Sequence, residues 1–230
     1  MSLGSKLSQR LVAEAVGTFA FVLVGAGSST IAASLGVTEP AASQVLSALG
    51  NGLGLAVAVS VTMGISGGVL NPALALGLAS AGKLSYHDVI PYMMAELVGA
   101  WVAGVALAST IPESVWKPVH LGSPSLQSLT VPQGIGLEAL LTFVLMLAVY
   151  GTAVDPRGPK VGGLFIGVAV VADVLVGGSL TGAAMNPARA MGPMLASGFI
   201  PSYWYIYWVG PVLGAVVAAL VYKFALEKKA

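Results

Sequence analysis

The chain has no cysteine, which excludes a disulfide framework, a thiol nucleophile and a cysteine metal site. Charge is also scarce, because only 8% of the residues are Asp, Glu, Lys or Arg, against about a quarter in a soluble domain. The formal net charge of +1 gives no basis for binding nucleic acid. The sequence contains no metal-ligand cluster, no nucleophile beside a base and no phosphate loop, so we expect no cofactor, no metal and no enzymatic activity.

Apolar residues take the place of the missing charge, since 57% of the residues are hydrophobic and the mean hydropathy is +0.90. Such a composition indicates a chain that lies in a lipid bilayer. Six spans of about 20 residues with short connections would use most of the length. The sequence therefore predicts one all-α integral membrane domain over residues 1–230. The first three spans are expected at Leu11–Leu35, Val45–Ile65 and Val89–Thr110.

A motif of a hydroxyl residue, Gly, three further residues and Asn-Pro-Ala occurs twice. Its Asn-Pro-Ala parts are Asn71, Pro72 and Ala73, and Asn186, Pro187 and Ala188. Asn is a good N-cap and Pro suits the first helical position, so each motif predicts a helix start. The segments that follow, Leu74–Ser80 and Arg189–Ala196, are too short to cross a bilayer. Two capped half-helices among membrane spans indicate a transport pathway near the midplane.

The second half of the chain repeats landmarks of the first half in the same order. Asn71 and Tyr92 recur 115 positions later, and Glu14 recurs 124 positions later as Glu138. The two repeats are expected at about residues 7–110 and 133–225, with an external loop at about residues 111–132. Because each repeat holds three spans, an odd number, the second copy is inverted, and the two half-helices meet with their N-termini.

Lys and Arg are distributed unevenly between the two sides of this topology. With both termini on one side, that side holds eight such residues and the outer loops hold Lys117, while Arg189 is left over in the second Asn-Pro-Ala loop. The eight are Lys6, Arg10, Lys83, Arg157, Lys160, Lys223, Lys228 and Lys229. The positive-inside rule then predicts that both termini are cytoplasmic. The brief termini and the lack of a targeting peptide favour a prokaryotic plasma membrane.

The two Asn-Pro-Ala motifs, Arg189 directly after the second, and the paired Glu-x3-Thr-Phe segments beginning at Glu14 and Glu138 together resemble the aquaporin, or major intrinsic protein, family. The segment Asp155–Arg157 is similar to plant intrinsic-type members and their microbial relatives, and we expect a microbial member. The resemblance implies six tilted helices and two re-entrant half-helices around one pore per monomer. It also implies a homotetramer in the lipid bilayer that passes water and small neutral solutes.

The motif residues suggest how such a pore would exclude protons. As caps, Asn71 and Asn186 would use their side-chain oxygens and leave their NH2 groups to donate into the pore. A water that accepts from both cannot accept a proton from its neighbour, and the half-helix N-termini add positive partial charge. This is the established account of aquaporin-type pores. Glu14 and Glu138 are expected to accept from backbone N–H groups of the two loops.

By the family pattern, the narrow filter is expected at Asn51, Val174, Ala183 and Arg189. Strictly water-selective members have an aromatic at the first position and His at the second. Glycerol facilitators have aromatics at the first and third positions and Asp after the Arg. This chain has neither set, so a wide filter is predicted, with ammonia, hydrogen peroxide, urea and metalloid hydroxides among its solutes.

Four other interpretations stay open from the sequence. Two are a strictly water-selective channel and a glycerol or metalloid facilitator. A third is an ion-coupled secondary transporter that uses Glu14, Glu96 and Glu138 as carriers, and a fourth is a structural membrane protein with a closed pore. Glu96 stands where the family usually has Gln, and Asp173 lies beside a filter position, so the roles of both are open.

Overall fold

The computed structural model describes residues 5–34, 40–159 and 161–227, and no β-strand occurs within those ranges. The helices in chain order are α1 (Leu7–Ser34), α2 (Pro40–Ser66), α3 (Pro72–Ser80), α4 (Tyr86–Thr110), α5 (Glu113–Trp116), α6 (Val131–Val149), α7 (Gly162–Gly177), α8 (Pro187–Ser197) and α9 (Ile206–Val221). One wider turn of π-helix continues each of α6 and α9. Four residues named in the sequence analysis, Leu35, Lys160, Lys228 and Lys229, lie outside the described residues.

Five of these helices, α1, α2, α4, α6 and α9, are long and apolar enough to cross a membrane. The sixth span, α7, has 16 residues and a length of about 24 Å, slightly less than a typical hydrocarbon core. The half-helices are α3 and α8, with 9 and 11 residues. The predicted fold class, an all-α membrane protein with six spans and two half-helices, is confirmed.

The outer surface of the bundle is apolar, as a lipid environment requires. Val57, Val61 and Leu140 are 63%, 65% and 67% exposed on spanning helices. Side chains of this size would be unfavourable in water over so large an area. The polar residues are instead buried at the centre, around the two half-helices. With apolar residues outside and polar residues inside, the functional groups of the chain lie along the bundle axis.

The spans approach each other most closely where glycine faces the backbone of a neighbouring helix. A Cβ atom on Gly99 of α4 would lie 2.2 Å from the carbonyl oxygen of Ala15 on α1. The matching position in the second half is Gly214 of α9, whose Cβ would lie 2.1 Å from the carbonyl oxygen of Ala139 on α6. Small residues allow this backbone-to-backbone packing between membrane helices.

We expect Gly99→Val to destabilise the bundle by about 3 kcal/mol, the upper end of the range for overpacking, because the added atoms would overlap a backbone oxygen that cannot rotate away. Gly64→Val is the matched control, since a Cβ on this α2 glycine would meet nothing within 4 Å. The measurement is the thermal unfolding midpoint of each purified variant in detergent. Equal midpoints for the two variants would show that the α1–α4 contact is looser than the structure has it.

Equivalent residues in the two halves make equivalent contacts. The Tyr92 hydroxyl donates to the carbonyl oxygen of Ser66 at 2.9 Å, and the Tyr207 hydroxyl donates to that of Thr181 at 2.8 Å. The residue before each motif Asn, Leu70 or Met185, has a left-handed backbone with φ of 50° or 52°. Similar sequences therefore build similar loops in the two halves.

One end of the bundle is held by ion pairs between segments distant in sequence. Arg10 of α1 pairs with Asp88 of α4 at 2.7 Å, and Lys83 pairs with Glu227 at 2.5 Å. In the α6–α7 connection, Arg157 pairs with Asp155 and holds the pKa of that carboxyl well below its usual range. These charges lie at the end where the sequence places the cytoplasm.

Candidate functional site

The site begins with the caps of the two half-helices. Asn71 and Asn186 have extended backbones, and each is followed by a proline at the first helical position. The Asn71 Oδ1 accepts from the N–H of Ala73 at 2.9 Å, while the Asn186 Oδ1 accepts from those of Ala188 at 2.9 Å and Arg189 at 3.2 Å. Each asparagine thereby fixes the N-terminus of its half-helix at the centre of the bundle.

Each asparagine also binds the opposite loop. The Asn71 Nδ2 donates to the carbonyl oxygen of Met185 at 2.9 Å, and the Asn186 Nδ2 donates to that of Leu70 at 2.8 Å. An amide nitrogen carries two hydrogens, so one remains on each side for a molecule in the pore. The expectation that both NH2 groups serve the pore alone is therefore too simple, because half of their donors join the two repeats.

Glu14 is fully buried on α1 and supports the first loop. Its carboxyl oxygens accept from the backbone N–H groups of Val69 at 3.1 Å and Leu70 at 2.6 Å. These N–H groups belong to non-helical backbone within the membrane, where an unpaired donor is costly. The carboxyl group supplies the acceptors that water would supply elsewhere.

Glu138 is fully buried on α6 and supports the second loop in the same way. It accepts from the backbone N–H groups of Ala184 at 3.0 Å and Met185 at 2.7 Å. The Thr181 hydroxyl donates to it as well, at 2.6 Å. Three donors therefore converge on one carboxyl group, which fixes the loop that carries Ala183 and leads into Arg189.

Arg189 lies in the first turn of α8 and is only 4% exposed. Its Nε donates to the Asn51 Oδ1 at 3.2 Å, and its Nη1 donates to the carbonyl oxygen of Gly122 at 3.0 Å. One of these two acceptors belongs to a spanning helix, and the other belongs to the external loop, which folds over the bundle. They are called the anchors of Arg189 below. The Nη2 group and one Nη1 hydrogen remain as donors for a passing solute.

Asn51 holds Arg189 more than it lines the passage. Its Nδ2 donates to the carbonyl oxygen of Ser47 at 2.8 Å and lies 3.3 Å from that of Gly25 on α1. The Ser29 hydroxyl lies 3.2 Å from the same nitrogen. The amide is thus occupied on both sides, and the filter surface that it offers to a solute is smaller than its residue type suggests.

The four predicted filter residues converge from three parts of the chain, but they divide between two cavities. Asn51 and Ala183 line an inner cavity that reaches the two motif asparagines. Val174 and Arg189 line an outer vestibule of about 610 Å³. The space in the inner cavity for the centres of water-sized molecules is only about 20 Å³. Asn51 and Arg189 are hydrogen-bonded to each other, so the vestibule and this narrow cavity adjoin at the predicted filter.

Sequence reasoning missed several residues at the vestibule. The Gln44 Nε2 donates to the carbonyl oxygens of Val174 at 3.0 Å and Leu175 at 2.8 Å, which ties α2 to α7 beside the filter. Gly122 supplies an Arg189 anchor, and His120 stacks on Phe199 with ring centroids 3.9 Å apart. No signal in the sequence marks these residues, since each acts through a partner far away in the chain.

We expect Asn51→Ala to release one side of Arg189 and to raise the urea-to-water permeability ratio by roughly threefold to tenfold. This range corresponds to about 0.7–1.4 kcal/mol, the net contribution of one ordinary hydrogen bond. Ser47→Ala is the matched control, because its hydroxyl contacts the same amide while the backbone acceptor for Asn51 is kept. Both ratios are measured by stopped-flow light scattering of proteoliposomes. An unchanged ratio in Asn51→Ala would remove Asn51 from the filter support.

The part of the chain that the structure describes holds no group of three or more His, Asp or Glu residues that could bind a metal ion. The buried carboxyl groups of Glu14 and Glu138 are instead engaged by backbone N–H groups. The chemistry of the site is therefore that of hydrogen-bond donors along a narrow passage.

Comparison with known proteins gives one family, described as Major intrinsic protein, which matches residues 2–222. Among curated proteins, Aquaporin TIP4-4 from Zea mays is 41% identical over 217 residues, covering 92% of this chain and 84% of that protein. Probable aquaporin TIP2-2 from Oryza sativa subsp. japonica is 38% identical over 218 residues, covering 93% and 85%. These relatives are plant proteins, so the expectation of a microbial member is not borne out.

Among solved structures, the aquaglyceroporin from Plasmodium falciparum superposes with a TM-score of 0.84. The match covers 96% of this chain and 97% of the other at 23% sequence identity. At this identity the likeness concerns the fold. It agrees with the arrangement of six spans and two half-helices described above.

Proposed function

Since the chain belongs to the major intrinsic protein family, whose members are membrane channels rather than enzymes, we propose that it passes water and small uncharged solutes and excludes protons and ions. The observation that carries the proposal is the reciprocal contact of Asn71 and Asn186, each of which caps its own half-helix and binds the opposite loop. The predicted pore centre thus has two fixed amide donors and two helix N-termini at one level.

Proton exclusion follows from the orientation that these donors impose. A water oxygen that accepts from both Asn71 and Asn186 has its lone pairs occupied and its own hydrogens turned along the pathway. Such a water can donate to its neighbours but cannot accept a proton from them. The N-termini of α3 and α8 contribute about half a positive charge each, which disfavours hydronium and other cations at the same level.

The range of solutes depends on the filter. Val174 and Ala183 are small or medium apolar residues, and Arg189 keeps free donors, which supports passage of small polar molecules without charge. A strictly water-selective channel is the second candidate, and the inner cavity favours it, because the space in this cavity for the centres of water-sized molecules is only about 20 Å³. Larger solutes would require the side chains around the inner cavity to move.

An ion-coupled transporter is less well supported by the same contacts. The oxygens of Glu14 and Glu138 are engaged by backbone N–H groups of the loops, so loading and release of an ion would disrupt the loops themselves. Ion-driven accumulation of a solute against its gradient would nevertheless identify this mechanism directly. A passive channel allows equilibration and no accumulation.

The protein is a multi-pass membrane protein, and we further propose a homotetramer in the plasma membrane with both termini in the cytoplasm. The orientation is supported by the excess of Lys and Arg at the end that holds the Arg10 and Lys83 ion pairs. The tetramer rests on the family resemblance. Light scattering of the purified protein in detergent gives its mass and tests the tetramer. The accessibility of the termini to protease in sealed vesicles tests the orientation.

Stopped-flow light scattering of proteoliposomes mixed into hyperosmotic glycerol tests the proposed function. The shrinking phase reports water and the re-swelling phase reports glycerol, and liposomes without protein are the control. Both phases are expected to be faster than in the control. A fast shrinking phase alone would favour the strictly water-selective candidate. No acceleration of either phase would contradict a channel and favour a structural protein with a closed pore.

A further inference from the structure

Glu96 is a fully buried acid of α4 that the pathway described above does not use. Neither of its carboxyl oxygens has a hydrogen-bond donor from the described protein groups. Arg10 lies over the Tyr92 ring, and Ala15 touches Gly99 at the next turn, so the Glu96 side chain lies between these two contacts, beside that of Glu14. Two carboxyl groups therefore meet behind the first loop.

Among the described residues, none of the ion pairs includes Glu14 or Glu96. Arg10, one turn before Glu14 on α1, lies over the Tyr92 ring and is bound to Asp88 instead. The backbones of α1 and α4 are in direct contact one turn away, at Gly99, which leaves no room there for a counter-ion.

The proton of such a pair belongs on Glu96. Glu14 accepts two backbone hydrogen bonds, at 3.1 and 2.6 Å, which stabilise its ionised form. An ionised Glu96 would be a second buried charge beside the first, with no donor and no cation, and that arrangement is strongly unfavourable. A protonated Glu96 has one O–H to give, and the Glu14 carboxylate is the acceptor in reach.

We propose that Glu96 is protonated at neutral pH and donates its proton to Glu14, so that the two carboxyl groups share one negative charge and together position the first Asn-Pro-Ala loop. Glu96 is a positioning residue that acts through Glu14. The site is confined to the first half of the chain, because the equivalent position in the second half is Pro211, which has no proton to donate.

Infrared spectroscopy of protein reconstituted in lipid tests the proposal. Uniform labelling with ¹³C-glutamate separates glutamate bands from those of Asp173, another buried acid. At pH 7, the carbonyl band of a protonated glutamate is expected in the natural protein, and Glu96→Gln is expected to lose the equivalent of one carboxyl group per chain. Glu113→Gln is the control, since Glu113 is exposed, and its pairing with Lys117 lowers its pKa. That control should lose nothing from the band.

A pH series gives a second measurement. A glutamate in the unfolded chain ionises at about pH 4.3. The stabilisation from a proton that the folded protein keeps is therefore complete below that pH, and it is lost progressively as the pH rises until the folded protein also releases the proton. The thermal midpoint of the natural protein is expected to fall between about pH 5 and pH 8 more steeply than that of Glu96→Gln. Equal carboxyl bands in the two proteins, or parallel pH curves, would overturn the proposal. So would failure of Glu96→Gln to assemble, because Gln keeps the shape and an N–H donor.

Discussion

Glu138→Ala is expected to abolish water permeability and to leave little folded protein. The substitution removes the acceptor of two backbone N–H groups and of the Thr181 hydroxyl, all within 3.0 Å of the carboxyl group. Each bond to a charged group contributes about 1.5–3 kcal/mol, so the combined loss approaches the whole stability of a typical domain. The measurements are the yield of monodisperse protein in detergent and the water permeability of proteoliposomes.

Glu113→Ala is the matched control, because this glutamate is exposed on the short helix α5 and its carboxyl group pairs with Lys117. It should change the free energy of unfolding by no more than about 0.5 kcal/mol, and it should leave the protein yield and the water permeability as they are in the natural protein. Glu138→Gln keeps one acceptor oxygen, so its yield and water permeability are expected to lie between those of Glu138→Ala and Glu113→Ala. A Glu138→Ala protein with normal yield and permeability would show that the second loop does not depend on this carboxyl group.

We expect the natural protein to reject monovalent cations and Arg189→Ala to admit them. At an effective dielectric constant of about 20 and a separation of about 5 Å, one fixed charge repels a cation by about 3 kcal/mol, an effect on the order of 100-fold. The helix N-termini of α3 and α8 remain, so exclusion is not lost completely. The measurement is the cation conductance of planar bilayers containing the variant, with water permeability measured on the same preparation.

Lys117→Ala removes the same charge from the external loop and serves as the control for changes in the overall field of the protein. Its side chain is exposed and pairs with Glu113, away from the filter. Conductance in this control should equal that of the natural protein. If Arg189→Ala also stays at that level, the positive charge of Arg189 is not part of the barrier.

The half-helices are the part of the structure that the sequence predicts best. Their signals are local, since Asn71 and Asn186 cap the helices that directly follow them. The ends of the half-helices are predicted to within two or three residues. For α3, the predicted segment is Leu74–Ser80 and the observed helix is Pro72–Ser80. The spans extend beyond their predicted starts; α2, for example, begins at Pro40 rather than Val45. Polar residues near the membrane surface can continue a helix that hydropathy alone would end.

The filter could not be predicted in the same detail, because its geometry depends on contacts between distant segments. Asn51 is a plausible lining residue by position, but its oxygen binds Arg189, 138 positions later. Gly122, in the loop that looks irregular from sequence, supplies the second anchor of that arginine. Side-chain type sets which bonds are available, whereas the packing of α1, α2 and the loop decides which are made.

The central claim is that two opposed half-helices form a passage for neutral molecules that rejects protons. The most direct test measures water and proton fluxes on the same proteoliposomes, by light scattering under an osmotic gradient and by an internal pH-sensitive dye under a pH gradient. The claim predicts water flow well above that of empty liposomes and a proton leak equal to theirs. A proton flux that rises with the amount of reconstituted protein would contradict it.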